Sequence, residues 1–148
     1  MLYKVLVQPV LLYGAECWTV RKEEERKILA LEMNCLRSML RITRKDKIRN
    51  VDIRKRTVLT ETAFDLLRRK RLHWFGHVSR MDDARLPRRA VHCYINGVQN
   101  KGRQAKRWIE NVKEDLKRQQ LNIEDTRTLV WNRTAWKYLI SNSSTPTG

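Results

Sequence analysis

Apolar residues recur along this chain at intervals of three and four, and nowhere do they alternate with polar ones over a strand-length run. The first period argues for amphipathic helices. No Asn-Gly or Asp-Gly separates two strand-like runs, which argues against hairpins. Residues 2–13 open the chain with a segment apolar nearly all round, expected to bury itself against something large. Pro9 should kink it or end its first half, and Gly14 should stop it. A second helix is predicted over 21–42, with Thr19 as N-cap and Glu23, Glu24 and Glu25 in its first turns. Ile28, Leu31, Cys35, Met39 and Ile42 line one face of it, widened by Leu29, Met33, Leu36 and Leu40.

A basic connector, "RKDKIRN", leads to a short helix over 51–57 capped by Asn50. A longer helix over 61–80 follows, with Phe64, Leu67, Trp74, Val78 and Met81 spaced to share a face. Gly76 lies inside it at a cost of about 1 kcal/mol against Ala, and so predicts a close backbone contact. Residues 82–101, with Pro87 and Gly97, read as a loop or short irregular segment. An amphipathic helix is predicted over 104–119, with Ala105, Trp108, Ile109, Val112 and Leu116 on one side. A last helix over 126–140 buries Leu129, Trp136, Leu139 and Ile140, and "SNSSTPTG" is a frayed tail. The expected fold is an all-α small helical bundle with little or no sheet.

Charge changes the picture. The 148 residues carry 32 Lys+Arg against 16 Asp+Glu, a formal net charge of +16. Such an excess repels itself and calls for a polyanionic partner. It is concentrated in the middle: residues 37–71 hold 13 basic and 4 acidic side chains, and residues 85–107 hold 7 basic and no acidic ones. Three widely spaced cysteines, Cys17, Cys35 and Cys93, argue for a reducing compartment over a disulfide framework. The apolar opening is too short to span a bilayer and lacks a clear cleavage site, so neither a membrane nor secretion is expected.

Candidate chemistry thins out on inspection. Asp82-Asp83 would need apolar strands and a further acid to hold catalytic metals, but the pair follows a helix in a basic loop. His73 and His77 stand four apart on a helix, but adjacent His92-Cys93 is awkward for completing a tetrahedral zinc site, and no Cys-x-x-Cys accompanies them. No phosphate-binding glycine loop, nucleophile elbow or dinucleotide fingerprint is present, and no cofactor is expected. What remains is phosphate binding, from three groups of cations. They are Arg44, Lys45, Lys47, Arg49, Arg54, Lys55 and Arg56; the quartet Arg68, Arg69, Lys70 and Arg71; and Lys101, Arg103, Lys106 and Arg107 at a helix start.

"LVQPVLLYGAECWTV", "LEMNCLRSMLRI", "RNVDIRKRT", "RRKRLHWFGHVSRMDDARLPRRAV", "KGRQAKRWIENVKEDL" and "RTAWKYLI", in this order, resemble the C-terminal part of a non-LTR (LINE-type) retrotransposon reverse transcriptase. Gln104 stands where proline is usual after Gly-Arg. The resemblance implies a thumb-like helical segment over 1–45 and a basic helical segment with a loop over 46–100. It implies a C-terminal helical pair over 101–140, before a disordered tail over 141–148. It also implies a non-catalytic role, because the family's catalytic aspartates belong to a palm that nothing here matches, and the endonuclease is absent too. The implied partners are RNA, DNA or their hybrid and the rest of a reverse transcriptase, in an intracellular and nuclear setting, with no small-molecule substrate. Two other readings stay open. One is a helix-turn-helix-like DNA-binding protein using 51–57 and 61–80. The other is an interaction module whose first helix docks on a reverse transcriptase palm.

Overall fold

The computed structural model describes residues 2–59, 61–93 and 105–142, with the side chains of residues 92 and 142 left out. Those residues form helices joined by turns and short irregular stretches, with no strand among them. The chain opens with a π-helical turn, Tyr3–Val7, that runs into α1, Gln8–Leu11. Pro9 explains the junction: it has no N–H to donate, and its ring would strike the carbonyl four residues back in a regular helix. A wider turn avoids that clash. Gly14, at φ +63°, then ends the segment in the left-handed region that a glycine enters without strain.

After a 3₁₀ turn at Ala15–Cys17 comes α2, Lys22–Met39, which begins within one residue of its predicted start and ends three residues before Ile42. Thr19 does not cap it. Asn111, from a distant helix, accepts from Val20 N at 2.9 Å and donates to Val20 O at 2.8 Å, which holds the chain off a helical path. Glu24 instead accepts from Arg21 N at 2.7 Å. The buried face of α2 is Glu32, Met33 and Leu36, while Leu31 and Met39 are exposed. Helix α3, Asn50–Arg56, takes Asn50 as its first residue and not its cap, because the Asn50 amide oxygen accepts from Arg37 at 2.7 Å.

Helix α4, Ala63–Ser79, is the centre of the molecule. Thr62 and Asp65 form a reciprocal capping box at its start, with Asp65 N donating to Thr62 Oγ1 at 3.0 Å. The helix packs against α2, the turn at Ala15–Cys17, α5 (Leu86–His92), α6 (Trp108–Arg118) and α8 (Arg133–Asn142). Residues 86–92, expected as irregular, form α5 because Pro87 stands in its first turn, where its missing N–H costs nothing. The predicted helix over 126–140 is broken into α7, Thr126–Leu129, and α8, where Asn132 Oδ1 accepts from Ala135 N at 3.1 Å as a new N-cap. The frayed tail expected over 141–148 lies outside the described residues from 143 onward.

Three hydrophobic clusters hold this arrangement. Leu72, Phe75, Val112, Leu116, Trp136 and Ile140 join α4 to α6 and α8. Tyr3, Met33, Leu36, Ile53 and Leu59 join the opening turn to α2 and α3. Leu12, Ala15, Val20, Phe64 and Leu67 close the space between them. Three helices end in the same double hydrogen-bond cap with a residue other than glycine at the left-handed position: Arg41, Val58 and Gln120. Each carries a strain of roughly 1–2 kcal/mol that the packing around the cap sustains.

Gly76 makes the close contact its position predicts. The indole of Trp136 lies against its backbone, and Trp136 Nε1 donates to Leu72 O at 3.2 Å. A Cβ at residue 76 would come within 2.7 Å of Trp136 Cδ1, with Nε1 nearer still. Gly76→Ala therefore trades about 1 kcal/mol of helix propensity for overpacking of about 1–3 kcal/mol and a buried hydrogen bond worth about 1 kcal/mol. A net destabilisation of roughly 1–3 kcal/mol is expected from the denaturant midpoint. An unchanged or higher midpoint would mean that Trp136 does not rest on Gly76.

Candidate nucleic-acid interface

The cations expected to face phosphate divide into two populations. In the α4 quartet three arginines are paired with carboxylates, and one of them is buried. Arg71 is 1% exposed and donates through Nη1 to Asp115 Oδ2 at 2.8 Å, itself 5% exposed on α6. Arg68 reaches Glu25 on α2 at 2.8 Å, Asp65 at 2.9 Å and Asp115 at 3.6 Å, with its guanidinium 4.2 Å over the Phe64 ring. Arg69 pairs with Glu61 at 2.8 Å, and Lys70 donates to Leu12 O at 3.1 Å. The expectation of a phosphate-facing quartet is corrected for Arg71, which is buried against Asp115; Arg68 and Arg69 are paired but part-exposed, and Lys70 has no carboxylate partner. Glu25 and Asp115, far away in sequence, reach the quartet through the fold and tie three helices together.

Burial acts against the charge on both partners of the Arg71–Asp115 pair. It lowers the Arg71 guanidinium below its ordinary value, and it raises the Asp115 carboxyl against the pull of Arg71 and Arg68. Such a pair contributes little net stability but is costly to break, because one charge is then left buried and alone.

Arg54 is also diverted. Its Nη2 meets the fully buried Glu32 at 2.6 Å. Glu32 in turn accepts from Tyr3 Oη at 3.3 Å and from Ala63 N at 2.9 Å, the first N–H of α4. Burial and the Glu32 carboxylate push the Tyr3 phenol well above its ordinary value. Lys106 pairs with Glu114 at 2.6 Å. Arg107 stands in extended backbone just before a helix that begins at Trp108, several residues later than expected. Lys101 and Arg103 lie outside the described residues.

The second population faces outward. Arg41, Arg44, Lys45, Lys47, Lys55 and Arg56 are exposed on the connector and the end of α3, with no carboxylate partner. Arg49, beside them, pairs with Asp52 at 3.1 Å at the surface, an interaction worth little in water. The connector's shape is held from within: Arg37 donates to Ile48 O at 3.2 Å, and Asp46 accepts from Thr43 N at 2.7 Å. Those bonds at Thr43 hold the Asp46 carboxyl below its usual range. The strip can neutralise phosphates along a backbone. It offers no fixed set of donors to read bases.

The remaining candidates do less. Asp82 accepts from Ala84 N at 2.8 Å and Asp83 pairs with Arg88 at 3.0 Å, so both acids shape the turn before α5. No group of three or more potential ligands is placed for a metal among the described residues. In α4 His73 and His77 are exposed, eight positions are buried and the rest are half-buried. No helix among the described residues is long and apolar enough to cross a membrane.

Comparison with known proteins adds one relative. The chain is 24% identical over 152 residues to an uncharacterized transposon-derived protein of Caenorhabditis elegans. That relative derives from a transposon. The alignment takes in 97% of this chain but 54% of the relative, so the chain spans about half of the relative's length. No family model matches the chain, and no solved structure matches it.

The two populations of cations should respond oppositely to mutation. Arg71→Met leaves Asp115 buried with only the longer contact to Arg68. It should cost about 3 kcal/mol, the lower end of the range for a broken buried pair. Adding Asp115→Leu should recover most of that loss. Lys55→Ala with Arg56→Ala should stay within about 0.5 kcal/mol of the parent. Chemical denaturation of the four proteins checks this, and equal losses at both places would remove the distinction.

Proposed function

We propose that this chain is a nucleic-acid-binding segment from the C-terminal part of a non-LTR retrotransposon reverse transcriptase, with no catalysis of its own. It holds RNA–DNA template–primer or target DNA by its phosphates, in the nucleus where target DNA is found. The observation that carries this reading is the outward strip of Arg41, Arg44, Lys45, Lys47, Lys55 and Arg56, which stay exposed while Arg68, Arg69 and Arg71 of α4 are paired with carboxylates. The order of sequence blocks supports the reverse transcriptase assignment, and the similarity to a transposon-derived protein supports a transposon origin.

The mechanism is counterion release. Six exposed cations engaging phosphates would give a log–log salt slope of about −5 on duplex DNA and an affinity loss of about 10³ between 50 and 200 mM salt. Sequence preference should be weak, because phosphate contacts position without reading bases. Fluorescence anisotropy with an RNA–DNA hybrid, duplex DNA and single-stranded RNA at several salt concentrations measures both. Each of Lys45→Ala, Lys47→Ala, Lys55→Ala and Arg56→Ala should flatten the slope by about one while leaving the fold intact. Weak, salt-insensitive binding to all three nucleic acids would overturn the reading.

A second reading is favoured by the opening helix. Leu2, Val5, Leu6, Val10 and Tyr13, each at least 59% exposed, share one stripe. A contiguous apolar stripe of this kind marks a docking surface, here for the remainder of a reverse transcriptase. Its inner side belongs to the core, since Tyr3 and Leu12 are fully buried, so removing the segment would unfold the chain. Val5→Lys with Val10→Lys is the milder probe and should abolish concentration-dependent self-association in light scattering. A parent chain that stays monomeric at high concentration would count against docking.

A further inference from the structure

A cavity of about 470 Å³ opens beside α4, between α5 and α6. Trp74, Trp108, Val78 and Pro87 form much of its wall, and Cys17 and Cys93 also line it. Its size falls within the ~300–1,000 Å³ typical of small-ligand sites. Trp108 is fixed in place: its Nε1 donates to Glu16 O at 2.8 Å, and its ring lies 6.5 Å from Phe75. Trp74 is a wall of this cavity and also of a second, smaller hollow of about 300 Å³, which Lys70, His73, His77 and Glu16 line. One indole thus borders both a largely apolar cavity, whose rim includes Arg107, and a polar, basic hollow.

We infer that the cavity is a stacking pocket for an unpaired nucleobase, with the adjoining phosphodiester lying over Lys70 and His73 in the hollow that shares Trp74. This rests on the nucleic-acid-binding reading and assigns it a second contact, away from the 41–56 strip.

The chemistry of each side selects its half of the ligand. Every base has a π-face that stacks on an indole without regard to sequence. Two half-buried tryptophans in one cavity leave apolar surface that a planar, weakly hydrated ring would cover. In the smaller hollow Lys70 spends one of its three N–H donors on Leu12 O, leaving two for phosphate oxygens. Burial, Arg69 and Lys137 hold the His73 imidazole below its ordinary value, so at neutral pH it contributes hydrogen bonds more than charge. Glu16 faces the same hollow and disfavours a doubly charged terminal phosphate relative to the singly charged diester of a strand. An unpaired strand has both parts, whereas a duplex keeps its bases stacked inside.

The test uses the whole chain at low salt with a short oligothymidylate, an abasic strand of the same length and a duplex of the same length. The base-bearing strand should quench tryptophan emission and protect Cys17 and Cys93, but not Cys35, from alkylation. It should bind about 5- to 150-fold tighter than the abasic strand, the gain expected from stacking one base. Trp74→Leu should bring the two affinities together, and Trp74→Phe should restore most of the difference. Equal affinity for the two strands, with no protection of either cysteine in the parent chain, would overturn the pocket while leaving phosphate binding in place. Failure of all three nucleic acids, duplex included, to bind would overturn both.

Discussion

Arg71 carries a positive charge into the middle of the molecule, and a buried guanidinium without a counter-charge is not tolerated in a folded chain. Asp115 must therefore come to it, and with Asp115 comes α6. Arg68, one turn earlier, adds Glu25 and so draws in α2. The central helix thus specifies its neighbours by charge as well as by apolar contact. Hydrophobic burial alone would let α2 and α6 slide along α4, whereas a carboxylate 2.8 Å from a particular guanidinium nitrogen fixes register. Because desolvation opposes both charges of the Arg71–Asp115 pair, its value to the fold is geometric more than energetic.

Glu32 plays the same part at the start of α4. One fully buried carboxylate joins the opening turn through Tyr3, α3 through Arg54 and the first N–H of α4 through Ala63. A negative charge at that helix terminus also suits the helix dipole. The two buried acids meet α4 at its start and at its middle, and each is set against arginines that composition alone would count toward a nucleic-acid surface.

The net charge of +16 is for that reason an imperfect guide to where a polyanion would sit. Arg54, Arg68, Arg69 and Arg71 are paired with carboxylates, while the connector and the end of α3 carry six exposed cations and α2, α6 and α8 carry others. The same internal demands shape the tryptophans. Trp136 is locked against Gly76 in the core, while Trp74 and Trp108 are left half-buried around an open cavity. Position relative to α4 decides which aromatic residues build the fold and which remain available to a ligand.

The all-helical fold, the stop at Gly14, the tight contact at Gly76 and the burial of Trp136 and Ile140 were legible along the chain. Each follows from local periodicity or from a property of one residue type. The two key acids also left a trace: Glu32 interrupts the apolar stripe of α2, and Asn111 and Asp115 interrupt that of α6, where polar residues are costly without a partner. What the trace could not supply was the partner's identity. The start of α2 depends on Asn111, 91 residues beyond Val20, and the fate of the Arg68–Arg71 quartet depends on carboxylates on α2 and α6. The sequence by itself determined that the chain is helical and strongly basic. Only the tertiary structure decided which cations face water, because charge pairing across helices is a matter of distance in space, and spacing along the chain does not encode it.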